Sequence, residues 1–202
     1  MLVVFEGIDG TGKDMQIRKL AAFLRQKKVA YSLHAYPTKK ASEAFAHLEG
    51  EENVEPGKLA GIFAGDIMSE QGKLKEELAQ GLLVICNRYL HSTLAYQGVG
   101  VGFERLRQEL EGKDAVVPDL VVLLDLGSKS ASARKGRQKK ADRFESDVAF
   151  LEQVRQNYLK EARGCFLAYK YAVIDASQAP EGIFSEIITQ VEPLAMREMG
   201  AK

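Results

Sequence analysis

The run Glu6-Gly7-Ile8-Asp9-Gly10-Thr11-Gly12-Lys13 constrains this chain more than any other stretch. It lies between an apolar strand-like segment, Leu2 to Phe5, and an amphipathic helix that begins at once, and its spacing fits the GxxxxGK pattern. Glycines at 7, 10 and 12 let the backbone turn tightly with its N–H groups inward, and the helix start adds a dipole and unpaired donors. The loop is therefore an anion nest: Gly7, Ile8, Asp9, Gly10, Thr11, Gly12 and Lys13 are read as a cradle for a chain of phosphates, with Lys13 reaching the β and γ groups. A glycine-rich turn that merely connects is the bland alternative. One position departs from the pattern. Ser or Thr, whose hydroxyl ligates Mg²⁺, normally follows the lysine, and here Asp14 does. Its carboxylate is a hard oxygen ligand too, but it sets negative charge beside a polyphosphate.

A strand feeding such a loop belongs in a parallel sheet, and the rest of the chain agrees. Short apolar β-branched runs at Leu2 to Phe5, Ala30 to Ala35, Leu82 to Cys86, Leu120 to Leu126 and Tyr171 to Asp175 alternate with amphipathic stretches. None of the five shows period-two alternation, which predicts strands buried on both faces in an α/β fold: a five-stranded parallel sheet with helices on both sides. Helical stripes occur at Ile17, Leu20, Ala21 and Leu24, at Leu151, Val154, Tyr158 and Ala162, and at Ile183, Ile187, Val191 and Leu194. Gly50 to Gly57 reads as an acidic turn. Gly127 to Lys140, small, polar and basic, reads as a segment outside the core. With 202 residues, 46% of them apolar, one domain spanning 1–202 is expected.

Composition excludes several functions. Twenty-eight Lys and Arg balance 28 Asp and Glu, so no overall charge draws the chain to nucleic acid or anionic lipid. The start shows no leader pattern and no window approaches a membrane span, so a cytoplasmic, non-membrane protein is expected. Cys86 and Cys165 sit in apolar surroundings and read as two buried thiols. His34, His47 and His91 are scattered, which argues against a transition-metal site.

A second anion site follows the third strand, in Asn87-Arg88-Tyr89-Leu90-His91-Ser92-Thr93-Leu94-Ala95-Tyr96-Gln97-Gly98. Ligands of open α/β sheets bind beyond the carboxyl ends of strands, so Arg88 projects where the phosphate loop also opens. A cation at the end of a buried strand needs an anionic partner. At this point the chain resembles the thymidylate kinase family of P-loop nucleoside monophosphate kinases. The in-order matches are FEGIDGTGK, PT after the second strand, LAGIFAGD, NRYLHSTLAYQG, PDLVVLLDL, ADRFE and VIDASQAPEGI.

The resemblance implies phosphorylation of dTMP by ATP with Mg²⁺, in a homodimer. It implies that Asp9 binds the substrate 3′-hydroxyl, that Arg88 clamps the monophosphate and that Lys39 reaches the same phosphate. Phe63 stacks on the pyrimidine, Tyr96 crowds the 2′ position, and Ser92, Thr93 and Gln97 complete the substrate set. It also implies a lid over about 128–143 that brings Arg134, Arg137 and Arg143 to the transferring phosphoryl group, with Arg143 covering adenine opposite residues 176–181. Asp125, at the end of its strand, is either near magnesium or a strand-end cap. No general base is required, because a phosphate dianion is already deprotonated near neutral pH.

Two departures accompany the resemblance. The family's Asp before the clamping arginine is Asn87 here, so a carboxylate has vanished at 87 and appeared at 14; Asp14, Asn87 and Asp125 are the candidate metal ligands. The family often places Arg four residues after the stacking Phe, and here that position is Ile67, which cannot donate to a base carbonyl. A kinase for another pyrimidine mononucleotide, and a nucleotide-binding module without turnover, therefore stand as alternatives.

Overall fold

A computed structural model describes residues 1–135 and 147–200, with side chains at 1–134 and 147–195. The chain begins with β1 (Leu2–Glu6), α1 (Lys13–Gln26), β2 (Tyr31–Ala35), α2 (Ser42–Glu49), α3 (Pro56–Ser69), α4 (Gln71–Ala79) and β3 (Leu83–Asn87). It continues with α5 (Leu90–Val101), α6 (Phe103–Glu111), β4 (Leu120–Asp125), α7 (Ser128–Lys135), α8 (Val148–Arg163), β5 (Tyr171–Asp175) and α9 (Pro180–Gly200). The sheet order is β2-β3-β1-β4-β5, every described pairing parallel, with Val4 beside Cys86 on one side and Val121 on the other.

Alternation along β1 decides what each face meets. Val3 and Phe5 join a core with Ile17, Leu20 and Leu24 of α1, Leu151 and Val154 of α8, and Ile183 and Ile187 of α9. Leu2 and Val4 join a second core with Ala64 and Ile67 of α3 and Leu90 and Leu94 of α5. The three helical stripes read from the sequence all pack as expected.

Four expectations are corrected. Only β1, β3 and β4 are buried on both faces. The edge strands β2 and β5 have water on one side, with Leu33 and Val173 about half exposed. The third strand lies one residue later than its apolar run suggests, because Asn87 pairs with Phe5 and with Ala35. The segment from Gly127 is not outside the core: it forms α7, and Ala131 is fully buried. Cys165 is exposed, since it sits at positive φ in the turn after α8 rather than on the helix. Among the described residues no helix is long and apolar enough to cross a membrane.

Candidate active site

The loop after β1 supplies the first half of the site. Gly7, Gly10 and Gly12 all take positive φ. At Gly10 the reason is close approach as well: an added Cβ would lie 2.4 Å from the Ala131 carbonyl oxygen, so α7 rests directly on the loop. Lys13 folds back over the turn and donates to the carbonyls of Gly7 at 2.8 Å and Ile8 at 3.0 Å, while the Thr11 hydroxyl donates to Ile8 at 2.9 Å. Burial chiefly, and the Arg88 charge after it, bring the Lys13 ammonium down to about 7.

The second half comes from the end of β3. Arg88 has φ +70, a strained value for a residue with a side chain, and its N–H still donates to the Phe5 carbonyl at 3.0 Å. This turn sends the guanidinium toward the loop. It meets Asp9 at 2.7 Å and Ser92 at 3.0 Å and lies 5.2 Å from the Tyr96 ring centre. Burial opposes its charge more than any one neighbour supports it, and Asp9, Tyr96, Tyr158 and Glu6 together outweigh that cost. Tyr96 donates to the other Asp9 oxygen at 3.0 Å.

Glu6 holds this arrangement in place. It continues the Leu2 and Val4 face beyond the apolar part of β1, fully buried, and accepts from the Tyr89 N–H at 2.7 Å, Ser92 at 2.6 Å and Tyr158 at 3.0 Å. Burial pushes its carboxyl up; Ser92 and Arg88 pull it back. Sequence reasoning assigned Glu6 no role, although an acid ending an apolar strand was the available signal. It likewise passed over Asp66, whose carboxylate accepts from the Thr38 N–H at 2.7 Å and from the Thr38 hydroxyl, fixing the turn after β2.

A cleft opens between these two halves. Asp9, Arg88 and Ser92 line it, together with Thr93, Tyr96 and Gln97 of α5. Ser92 with Tyr96, and Thr93 with Gln97, are four residues apart, so one helical face presents all four. Phe63 and Ile67 of α3, also four apart, line the cleft, as do Leu48 and Pro37. Lys39 is exposed and is not among the lining residues.

The candidate metal ligands separate. The Asn87 amide donates to Asp14 Oδ1 at 2.7 Å, and Asn87 Oδ1 is buried with no hydrogen-bond partner. An unpartnered carbonyl oxygen beside a carboxylate at the rim of the phosphate loop is a donor set that fits a hard divalent cation. Asp125 differs: Arg155 engages both its oxygens, at 2.6 and 2.9 Å, tying β4 to α8. Arg134 reaches the turn after β5. Being on a helix rather than an open loop, it donates to the carbonyls of Ala176 at 2.8 Å and Ser177 at 3.5 Å, on the turn after β5. Arg137 and Arg143, and the lid beyond residue 135, lie outside the described residues.

A strand, glycine loop and helix at the centre of a parallel sheet, faced by an arginine from the adjoining strand end, define the class of P-loop proteins that handle phosphorylated nucleotides. Comparison with known proteins narrows that class. The model of the thymidylate kinase family matches residues 5–187, and the chain belongs to this family. A probable thymidylate kinase of Caldivirga maquilingensis is 32% identical, covering 96% of this chain and 95% of the relative. The thymidylate kinase of Coprothermobacter proteolyticus is 33% identical, covering 95% and 99%. A probable thymidylate kinase of Thermococcus onnurineus is 35% identical, covering 95% and 97%.

Proposed function

We propose that this protein is a nucleoside monophosphate kinase that transfers the terminal phosphoryl group of ATP to dTMP, giving dTDP and ADP. The observation that carries the reading is the Arg88 guanidinium turned onto the phosphate loop, 2.7 Å from Asp9. An acceptor phosphate held by Arg88 and a donor phosphate held by the loop amides and Lys13 then share one cleft. Bringing two anions together is the main demand of this reaction, since phosphoryl transfer needs alignment and positive charge more than covalent help.

The residues divide the work. The loop from Gly7 to Lys13 holds the donor phosphates, Arg88 holds the acceptor phosphate, and Asp9 with Tyr96 meets the deoxyribose. Phe63 and Ile67 flank the base, with Thr93 and Gln97 as its polar contacts. Lys39 approaches the acceptor phosphate from the exposed turn, and Arg134 acts by holding the turn at Ala176. Asp14 and Asn87 hold Mg²⁺, which when bound supplies charge to the phosphate oxygens. Arg137 and Arg143 add cations from the lid. The chain works as one domain and as a homodimer in the cytoplasm, as the family resemblance and the absence of any charge bias support.

The Asp14 and Asn87 departures favour a second reading, a nucleotide-binding module without turnover. An ADP-release assay with ATP, Mg²⁺ and a panel of monophosphates decides between them. Turnover of dTMP that falls by about 10³ or more in Arg88→Ala is expected. Tight ATP binding with no turnover of any monophosphate would refute the kinase reading.

A further inference from the structure

Gln97 is 5% exposed overall and lines the cleft, where its side-chain amide has no protein partner among the described residues and is open to solvent rather than sealed in. Thr93, one turn earlier on α5, is 2% exposed, and its hydroxyl likewise has no protein partner among the described residues. Neither group is spent on a protein contact, so two polar side chains at one cleft wall are available to a polar ligand. The opposite wall gives no charge to that ligand: Phe63, Ile67 and Leu48 are apolar, and Ile67 is 2% exposed.

A free primary amide has an unusual property. It offers one donor and one acceptor side by side, and a half-turn about its last bond exchanges them. One orientation matches the N3–H donor and O4 acceptor of thymine; the other matches the N3 acceptor and N4 amine of cytosine. A protein partner on either end of Gln97 would fix one orientation, and a cation on the facing wall would favour the carbonyl and repel the amine. Gln97 has no such partner among the described residues, and the cleft's one lining cation, Arg88, is paired with Asp9 at the end of β3 rather than set among Phe63, Ile67 and Leu48. Turning the amide over therefore breaks no protein contact.

Resting on the reading that this cleft takes a pyrimidine monophosphate, we propose that it accepts deoxycytidine monophosphate as a second acceptor, with Gln97 as the group that reads both bases. Sites built with fixed polarity reject the wrong partner by about 10⁴–10⁵. Here the two nucleotides bind the full-length protein within about 100-fold of each other by calorimetric titration, and both are phosphorylated in the ADP-release assay. Gln97→Met, which keeps the shape and removes the amide, weakens both by about tenfold or more and together, while the ATP KM and the melting temperature stay put.

A dCMP affinity more than about 10³ below that of dTMP overturns the proposal. So does a Gln97→Met variant that weakens only one nucleotide or neither. Turnover of dTMP without turnover of bound dCMP overturns the proposal alone, whereas binding of both nucleotides without turnover of either refutes the kinase reading and dCMP as an acceptor with it, leaving only the reading of both bases by Gln97.

Discussion

Replacing Asn87 by Asp should damage the protein, and replacing Asp14 by Ser in the same molecule should repair it. In the native pair the Asn87 amide donates to Asp14 Oδ1 at 2.7 Å. A hydrogen bond to a charged acceptor contributes about 1.5–3 kcal/mol, and the substitution removes it. It also sets two carboxylates roughly 4 Å apart between charge centres, which costs about 1 kcal/mol in water and about 4 kcal/mol at an effective dielectric near 20. Asp14 is exposed, so solvent screening favours the low end of both ranges. The expected loss is about 2–3 kcal/mol, or a melting temperature lower by roughly 5–10 °C for a chain of this size. Calorimetric melts at pH 8 and low salt read it directly. Millimolar Mg²⁺ should recover most of the loss by sitting between the carboxylates, and Asp14→Ser with Asn87→Asp should recover it without metal. In the ADP-release assay Asp14→Ser alone should be crippled and the double variant active. An Asn87→Asp protein melting within about 1 °C of the parent, or a double variant as unstable as the single one, would refute the idea that the two positions compensate.

Other groups give further tests. Lys13 has been brought down to about 7, so phosphates bound against it should restore its charge, with proton uptake on nucleotide binding near neutral pH. Affinity should then decline as pH rises above about 7, and calorimetry in buffers of different ionisation enthalpy would expose a pH-independent reaction. Glu161 is fully buried, both its oxygens lack a partner among the described residues, and burial holds its carboxyl well above the usual range. A raised folded value means the folded state keeps a proton that the unfolded chain gives up, so this group costs stability as pH rises above about 4.5. Glu161→Gln should melt like the parent near pH 4.5 and increasingly above it toward pH 8; parallel curves would remove the effect. Gly10→Ala puts a methyl into the Ala131 carbonyl at φ +86, so denaturant titration should show a loss of more than about 1 kcal/mol, with weaker ATP binding; an unchanged midpoint would mean α7 does not rest on the loop.

What the sequence disclosed, and what it withheld, divides along physical lines. The phosphate loop, the central strands and the helical stripes are written in local patterns, and a buried strand must be apolar wherever it lies. Edge position is not local: Leu33 and Val173 are as apolar as their neighbours, and only the order β2-β3-β1-β4-β5 puts them at the margins. Arg88 was legible because a cation at a strand end demands an anion, but the partner's identity required folding. Asp9 comes from 79 residues away, and the contacts of Glu6 with Ser92 and Tyr158 span 86 and 152. Asp125 and Arg134 are candidate site residues by their positions along the chain, but what each touches is not legible there. Arg155, from a helix 30 residues downstream, engages Asp125, and Arg134 reaches the turn after β5, 42 residues on.

The charges gathered at these strand ends also explain why Asp14 matters beyond its own hydrogen bond. Lys13 and Arg88 face Glu6, Asp9 and Asp14, so with every group ionised the cluster holds two cations against three carboxylates. Such a cluster does not by charge alone attract a triphosphate and a monophosphate together. The loop amides orient dipoles toward one of them without adding net charge. The remaining attraction has to be brought in, and the proposed function names two sources: a divalent cation at the oxygen pair of Asp14 and Asn87, and the cations in the sequence that follows Lys135. The first of these is set by the same carboxylate that tips the cluster negative. The substitution at position 14 therefore makes binding of the nucleotides depend on the metal more strongly than a serine there would.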